Sequence, residues 1–388
     1  MPKIDGIVTR LRFTIAELQR QGDEVLVFAP GEGIREYEGA EIVRLPGIQF
    51  PLYRELTVSF PRPFIRHRLL DFKPDVIHAA DPACLGVAGV YYSDVLRLPL
   101  VVSYHTRLPK YLHYYGLGRC EPAVWKLMRM RHNKADLSLC TSEAMVDELQ
   151  AHGIERVRLW PPAVDAEVFH PRFASSETRE ELTGGHPEAP LLLYVGRVSP
   201  EKNIEHIRTA LEAIPRARLA VVGGGPHESQ LRKHFSGTGV FFAGYRTGRA
   251  LAEAMASSDL LILPSKTETL GLVLIEAMAS KCIVVGANSG GIPNIVQDGV
   301  TGLLFNPDEP GALARAVQRA VSDPDMPSLR ERAQAQAQRW SWENATRELK
   351  RYYSTAIHMP RKVKPATQPV WKLMMKKAVI GGIKTILP

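Results

Sequence analysis

The sequence predicts an α/β protein made of two doubly wound, Rossmann-like parallel-sheet domains that face each other across a cleft. Three observations lead there. Short apolar runs alternate with longer stretches patterned at helical spacing, as parallel strands buried on both faces require. The alternation lapses over residues 165–189, which hold Pro171, Ser175–Ser176 and Gly184–Gly185, and then restarts at Leu191. Small and charged residues gather where strands end, and open α/β sheets bind ligands at the carboxyl ends of their strands.

In chain order, Val8–Leu18 has a helical pattern and Glu24–Pro30 reads as a strand. Ala40–Pro46 is a second strand, followed by a Pro- and aromatic-rich loop and a helix over Phe64–Phe72. Asp75–Ala80 (strand), Cys84–Leu96 (helix) and Leu100–Tyr104 (strand) follow. Glu121–Lys134 is a helix, Asp136–Cys140 a strand, Ser142–His152 a helix capped by Ser142, and Val157–Trp160 closes the half. The second half has strands at Leu191–Val195, Arg218–Val222, Gly239–Phe242, Asp259–Leu263 and Cys282–Val285, with helices between them. After Leu303–Phe305 the chain reads as helical to about Ile357. This divides the chain into a first domain over 1–164, a linker over 165–189, a second domain over 190–345, and terminal helices with a basic amphipathic tail over 346–388.

With 388 residues, 45% hydrophobic and 23% charged, the chain can bury two ordinary cores. A net charge of +8 suits an anionic partner, be it nucleic acid, a phosphorylated substrate or an acidic membrane surface. No nucleic-acid motif stands out. Cys84, Cys120, Cys140 and Cys282 are widely spaced without a CxxC pair, which points to reduced thiols and away from a zinc site. No apolar run approaches the roughly 20 residues of a membrane span, and the first residues lack a signal-peptide core. The segment from Val370 onward is apolar with four lysines and Trp371. It can lie in a membrane interface, or form a last helix packed on the first domain.

Chemistry concentrates at Pro264–Gly291. Glu268 and Glu276 have seven residues between them; the first falls in a strand-to-helix loop and the second about a turn inside the helix. Thr269, Leu270, Gly271 and Leu272 lie at the helix start, where unpaired amides attract anions. Two carboxylates beside such an end suit a ligand with both phosphates and hydroxyls, such as a nucleotide sugar. Gly196 and Arg197 end the first strand of the second domain, with Lys202 five residues on, just before a helix expected to start near Asn203, an arrangement that can clamp a pyrophosphate. The Gly223–Pro226 turn, with Gly224 at its middle, allows close backbone approach, as does Ser289–Pro293. Tyr245, after the following strand, is a further candidate at the nucleotide. His105 follows a strand and either faces the cleft or packs; His78, within a strand, reads as packed. Trp125, Arg129, Arg131 and Lys134 give one helix a basic aromatic character, either a solvated face or a surface for lipid head groups.

These residues together resemble the retaining glycosyltransferases of family 4, with the two-domain GT-B fold. The resemblance rests on ETLGLVLIEAMA, similar to the family's E-x7-E motif, on GRxxxxK and on the SGGIP loop, and covers about residues 5–355. The stretches FKPDVIHAADP, VVSYHTRLPKYLHYY, RLWPPAVDAEVFHPRF and NSGGIPNIV resemble the plant and cyanobacterial sulfoquinovosyltransferase branch, which transfers sulfoquinovose from its UDP-sugar to diacylglycerol. The resemblance implies that Glu276 holds the ribose, Glu268 meets the transferred sugar with the amides of Thr269–Leu272, and Arg197 and Lys202 neutralise the departing diphosphate. It places His105 at the donor sugar. It implies no metal and no cofactor beyond the donor substrate, and a peripheral enzyme on an anionic membrane: the chloroplast membrane in a eukaryote, the cytoplasmic face of plasma or thylakoid membrane in a cyanobacterium.

Two departures carry expectations. The family opens with a strand and a Gly-rich loop ahead of the DGIVTRL-like helix, and neither is read here. An incomplete gene prediction or a shortened chain accounts for this. Without that strand, neighbouring edges are expected to be exposed, part of the acceptor and phosphate wall lost, and the chain poorly folded or inactive. Asn294 stands where the family usually has an acid, which would alter contacts to sugar or nucleotide. The competing readings are another lipid-directed glucosyl, galactosyl or mannosyl transferase of the family, and a non-catalytic paralogue that binds lipid or a partner.

Overall fold

The computed structural model describes residues 6–50, 53–59, 61–82 and 85–360; the readings made on Cys84 and on the tail from Val370 lie outside them. The first half runs α1 (Gly6–Arg20), β1 (Leu26–Pro30), β2 (Glu36–Tyr37), β3 (Ala40–Leu45), β4 (Ile48–Phe50), β5 (Tyr53–Val58), α2 (Pro63–Phe72) and β6 (Ile77–Ala80). It continues through α3 (Gly86–Leu96), β7 (Leu100–Tyr104), α4 (Leu108–Tyr114), α5 (Glu121–His132), β8 (Leu137–Cys140), α6 (Glu143–Ala151) and β9 (Val157–Leu159). The parallel strands β6-β7-β8-β9 form one sheet in chain order, and β1 pairs in parallel with β3 in a second, to which β2 adds antiparallel. Both β1 and β6 end their sheets. All five residues of β7 are buried, as expected of a strand between two helical layers.

A short helix, α7 (Ser176–Thr183), precedes the second half. There follow β10 (Leu191–Val195), α8 (Arg208–Ala213), β11 (Arg218–Val222), α9 (Glu228–His234), β12 (Phe241–Gly244), α10 (Gly248–Ala256), β13 (Leu260–Leu263) and α11 (Leu272–Ala279). The chain ends in β14 (Ile283–Ala287), α12 (Ile292–Ile295), β15 (Leu303–Phe305), α13 (Ala312–Ser322), α14 (Met326–Ala337) and α15 (Trp342–His358). Six parallel strands in the order β12-β11-β10-β13-β14-β15 make one doubly wound sheet. The order reverses beside β10 and β13, so their carboxyl ends flank the crevice where such sheets bind ligands. Leu191–Tyr194 and Leu260–Leu263 are fully or almost fully buried and form the centre of the core.

Four local readings are corrected. The Pro- and aromatic-rich loop contains an antiparallel pair, β4 with β5. The stretch 165–189 is not irregular throughout: Ser175 caps α7 by accepting from the Thr178 amide at 3.2 Å, and Leu182 is fully buried. No α-helix starts near Asn203, which is left-handed at φ 52° between two 3-10 turns, with α8 beginning at Arg208. Ser142 does not cap α6 with its side chain; Asn294 of the second half accepts the Ala144 amide at 3.2 Å instead. The last helix returns to the first half. Tyr352 donates to the Leu159 carbonyl at 2.8 Å, Lys350 pairs with Asp23 at 2.7 Å, and Trp342 stacks on Phe13 at 4.8 Å.

Candidate active site

The junction between β13 and α11 holds both motif glutamates. Gly271 precedes α11 in the left-handed region at φ 82°, where a side chain would strain the backbone and press on Leu274. Leu270 is buried behind it, and Leu272 opens the helix. Five of the eight residues of α11 are buried, so packing rather than helix propensity holds this short element. Glu276 sits on it with no partner for its carboxylate among the described residues, and burial pushes its pKa up to about 7. A carboxyl so placed accepts hydroxyl donors readily and is costly while empty.

Glu268 meets the end of β10. Lys202 Nζ lies 2.5 Å from Glu268 Oε1, with side chains 15% and 16% exposed. Burial opposes the Lys202 charge, but Glu268, Tyr111 and Tyr194 hold its ammonium well above the usual range. Either charge alone at this depth would cost several kcal/mol, so the two side chains hold each other in place until a ligand arrives. Arg197 Nη1 stands 3.6 Å from Glu201 Oε1, and Glu201 also accepts Ser199 Oγ at 2.6 Å and Tyr115 Oη at 3.4 Å. Gly223 (φ 132°) lets the next strand's turn lie against this loop; a Cβ there would collide with the Gly196 carbonyl oxygen. Tyr245 reaches over Gly224, donating to its carbonyl at 2.9 Å, while its ring is 55% exposed at the mouth.

The first half supplies the opposite wall. The His105 amide donates to Asp81 at 2.9 Å, and its carbonyl accepts Thr269 Oγ1 from across the cleft at 2.8 Å. Thr141 Oγ1 donates to the Thr269 carbonyl at 3.2 Å. Arg107, held by Glu148 through two hydrogen bonds of 2.9 and 3.0 Å, donates to the Lys266 carbonyl at 3.1 Å. The His105 imidazole is buried, and burial together with the Arg10 charge keeps it neutral, well below its usual pKa.

The structure thus brings Lys202 to Glu268 and the His105 carbonyl to Thr269, with Arg197 on the same loop as Lys202 and Glu276 further along in α11; Gly196, Gly224, Leu270, Gly271 and Leu272 lie at the neighbouring strand ends and the start of α11. Residues the sequence reading passed over belong here too: Glu201, Tyr111 and Tyr115. Tyr111 and Tyr115 lie in the VVSYHTRLPKYLHYY stretch, but nothing in their spacing aims them at the other half. Asn294 binds α6 and so latches the two halves. Trp125 is not part of a basic face: its ring is buried on His152 at 3.7 Å, leaving Lys126, Leu127, Arg129 and Met130 outward. Among the described residues no group of three or more His, Cys, Asp or Glu side chains could hold a metal ion.

Two facing α/β halves with an anion clamp and two carboxyls at strand ends define a GT-B glycosyltransferase. Residues 4–168 match the model of Glycosyltransferase Family 4, and residues 178–340 that of Glycosyl transferases group 1. The sulfoquinovosyl transferase SQD2 of Arabidopsis thaliana is 36% identical over 371 residues, spanning 93% of this chain and 73% of its own. A GDP-mannose-dependent alpha-mannosyltransferase of Mycolicibacterium smegmatis is 33% identical over 347 residues, 88% and 91% of the two chains. Anabaena HepE, crystallised with UDP and glucose, shares the fold with a TM-score of 0.74 at 22% identity, over 91% of this chain and 97% of its own. The chain belongs to glycosyltransferase family 4 and is an enzyme of that class.

Proposed function

We propose that this enzyme transfers sulfoquinovose from UDP-sulfoquinovose to diacylglycerol with retention at the anomeric carbon, as a peripheral membrane protein. The observation that carries the donor half is the Lys202–Glu268 pair, which joins the loops after the adjacent strands β10 and β13, with Arg197 on the first loop and Glu276 in the helix after the second. In this reading the diphosphate takes Lys202 and Arg197, a sugar hydroxyl takes Glu268, and Glu276 accepts the ribose hydroxyls. Bond cleavage puts negative charge on the departing phosphate, where two fixed cations stabilise it most. No carboxylate stands as an evident nucleophile, which favours same-face substitution over the two-carboxylate scheme. The likeness to the Arabidopsis sulfoquinovosyl transferase supports the sugar. Exposed Leu127 and Met130 beside Lys126 and Arg129 on α5 support a lipid surface.

Donor competition tests the sugar: the protein is incubated with diacylglycerol vesicles and UDP-sulfoquinovose, UDP-glucose or GDP-mannose. Sulfoquinovosyl diacylglycerol is expected from the first. Product from GDP-mannose alone would instead favour the second reading, a mannosyl transferase, to which the 33% likeness gives weight. Deleting residues 366–388 is expected to weaken sedimentation with anionic liposomes, and unchanged binding would remove the tail from the membrane contact.

A further inference from the structure

A continuous hydrogen-bonded chain runs from the last helix to His105. Tyr353 Oη on α15 lies 2.7 Å from His78 Nδ1, His78 Nε2 lies 2.8 Å from Ser103 Oγ, and Ser103 Oγ lies 2.7 Å from His105 Nε2. The indole of Trp160 packs on both imidazoles, with ring centroids 5.6 and 5.9 Å away. The Arg10 guanidinium lies 3.9 Å over that indole and donates to the carbonyls of Trp160 and Pro161 at 3.2 and 2.7 Å. Burial, and then the Arg10 charge, keep His78 neutral, its pKa pressed down to about 4. His105 is neutral for the same reasons.

Two neutral imidazoles and two hydroxyls leave few ways to arrange the protons. A neutral ring has one donor and one acceptor nitrogen, and a hydroxyl has one proton. Burial and the Asp23 charge keep the Tyr353 phenol protonated, and its described acceptor is His78 Nδ1. His78 then carries its proton on Nε2 and donates to Ser103, and Ser103 donates to His105 Nε2. Each order leaves one proton without a described acceptor, the phenol's in the reverse order and that of His105 Nδ1 in this one, and a bound sugar hydroxyl can accept the second. His105 Nδ1, which has no partner among the described residues, is left as a donor.

We propose that Tyr353, His78 and Ser103 are positioning residues that fix His105 in its Nδ1–H tautomer, so that it offers a hydrogen-bond donor to a hydroxyl of the donor sugar. The relay ties the docking of α15 on the first half to the orientation of the group facing the reacting carbon. The tautomer rests on these hydrogen bonds and on the neutrality of both rings; its role in transfer rests on the proposed place of His105 at the sugar.

Long-range proton–nitrogen NMR of the 15N-histidine-labelled protein at neutral pH tests it, with His105 assigned by loss of its signal in His105→Gln. The Nδ1–H form is expected for His105 and the Nε2–H form for His78. An Nε2–H His105 in the wild-type protein overturns the proposal, whatever the variants do. Tyr353→Phe is expected to convert His105 to a mixture of tautomers, and to lower kcat about ten-fold with donor KM within about two-fold. A His105 spectrum unchanged by Tyr353→Phe, or by His78→Gln if the first variant folds badly, also overturns it. Should the spectra come out as expected while no donor is turned over, the relay stands and the proposed reaction falls.

Discussion

Glu276→Gln is expected to stabilise the unliganded protein while removing nucleotide binding, and both effects can be sized from the structure. Burial raises the carboxyl from 4.5 to about 7, and no partner among the described residues offsets it. A carboxyl whose pKa is raised on folding contributes full stability only below its unfolded pKa. That contribution is lost as pH climbs from 4.5 through 7. At pH 8 the loss amounts to about 3 kcal/mol, at roughly 1.4 kcal/mol per pKa unit, and at pH 5 to less than about 1 kcal/mol. The amide escapes this cost. Thermal unfolding followed by circular dichroism should therefore show Tm roughly 5 °C higher for the variant at pH 8 and little changed at pH 5. UDP should raise the wild-type Tm and leave that of the variant unmoved. An equal Tm difference at both pH values would refute the desolvated carboxyl, and an undiminished response to UDP would refute its place at the nucleotide.

Lys202→Ala should lower kcat/KM by about 10²–10³-fold with its circular dichroism spectrum intact, since the proposed leaving-group site loses one of its two cations; near-normal turnover would move the phosphate site elsewhere. Gly223→Ala, which sets a methyl against the Gly196 carbonyl at φ 132°, should lose more than about 3 kcal/mol in denaturant titration, whereas Gly237→Ala, at φ 78° and in open space, should lose only about 1 kcal/mol. His78 and His132 are held neutral to about 4, so their unfolded forms bind protons first. Stability should hold above about pH 6.5 and fall towards pH 4, by up to about 3 kcal/mol for each ring, as read from Tm across that range.

The fold class was legible because strands buried on both faces must be apolar throughout, and Leu100–Tyr104, Leu191–Val195 and Asp259–Leu263 advertise this. The candidate donor side was read for a related reason. Arg197, Lys202 and Glu268 lie in loops after strands of one sheet and Glu276 in the helix that follows, and a doubly wound sheet brings strand ends together whatever its loops contain. The pairing of Ile48–Phe50 with Tyr53–Val58 was hidden by the prolines and aromatics in and around it, and α7 by flanking Ser and Gly that mark a loop as readily as a helix cap.

What sequence by itself determined, then, is the kind of residue at each strand end: the carboxyls, the cations and the glycines that let backbone approach a ligand. Tertiary structure alone decided the pairings. Lys202 meets Glu268 across 66 positions, Asn294 caps α6 across 150, and Tyr353 reaches His78 across 275. Such contacts leave no local pattern, because periodicity reports which face of an element is buried and says nothing of what lies against it. Glu276 shows the division most plainly. Its spacing from Glu268 made it a candidate, but only the packing around α11 leaves its carboxyl without a partner among the described residues and raises its pKa.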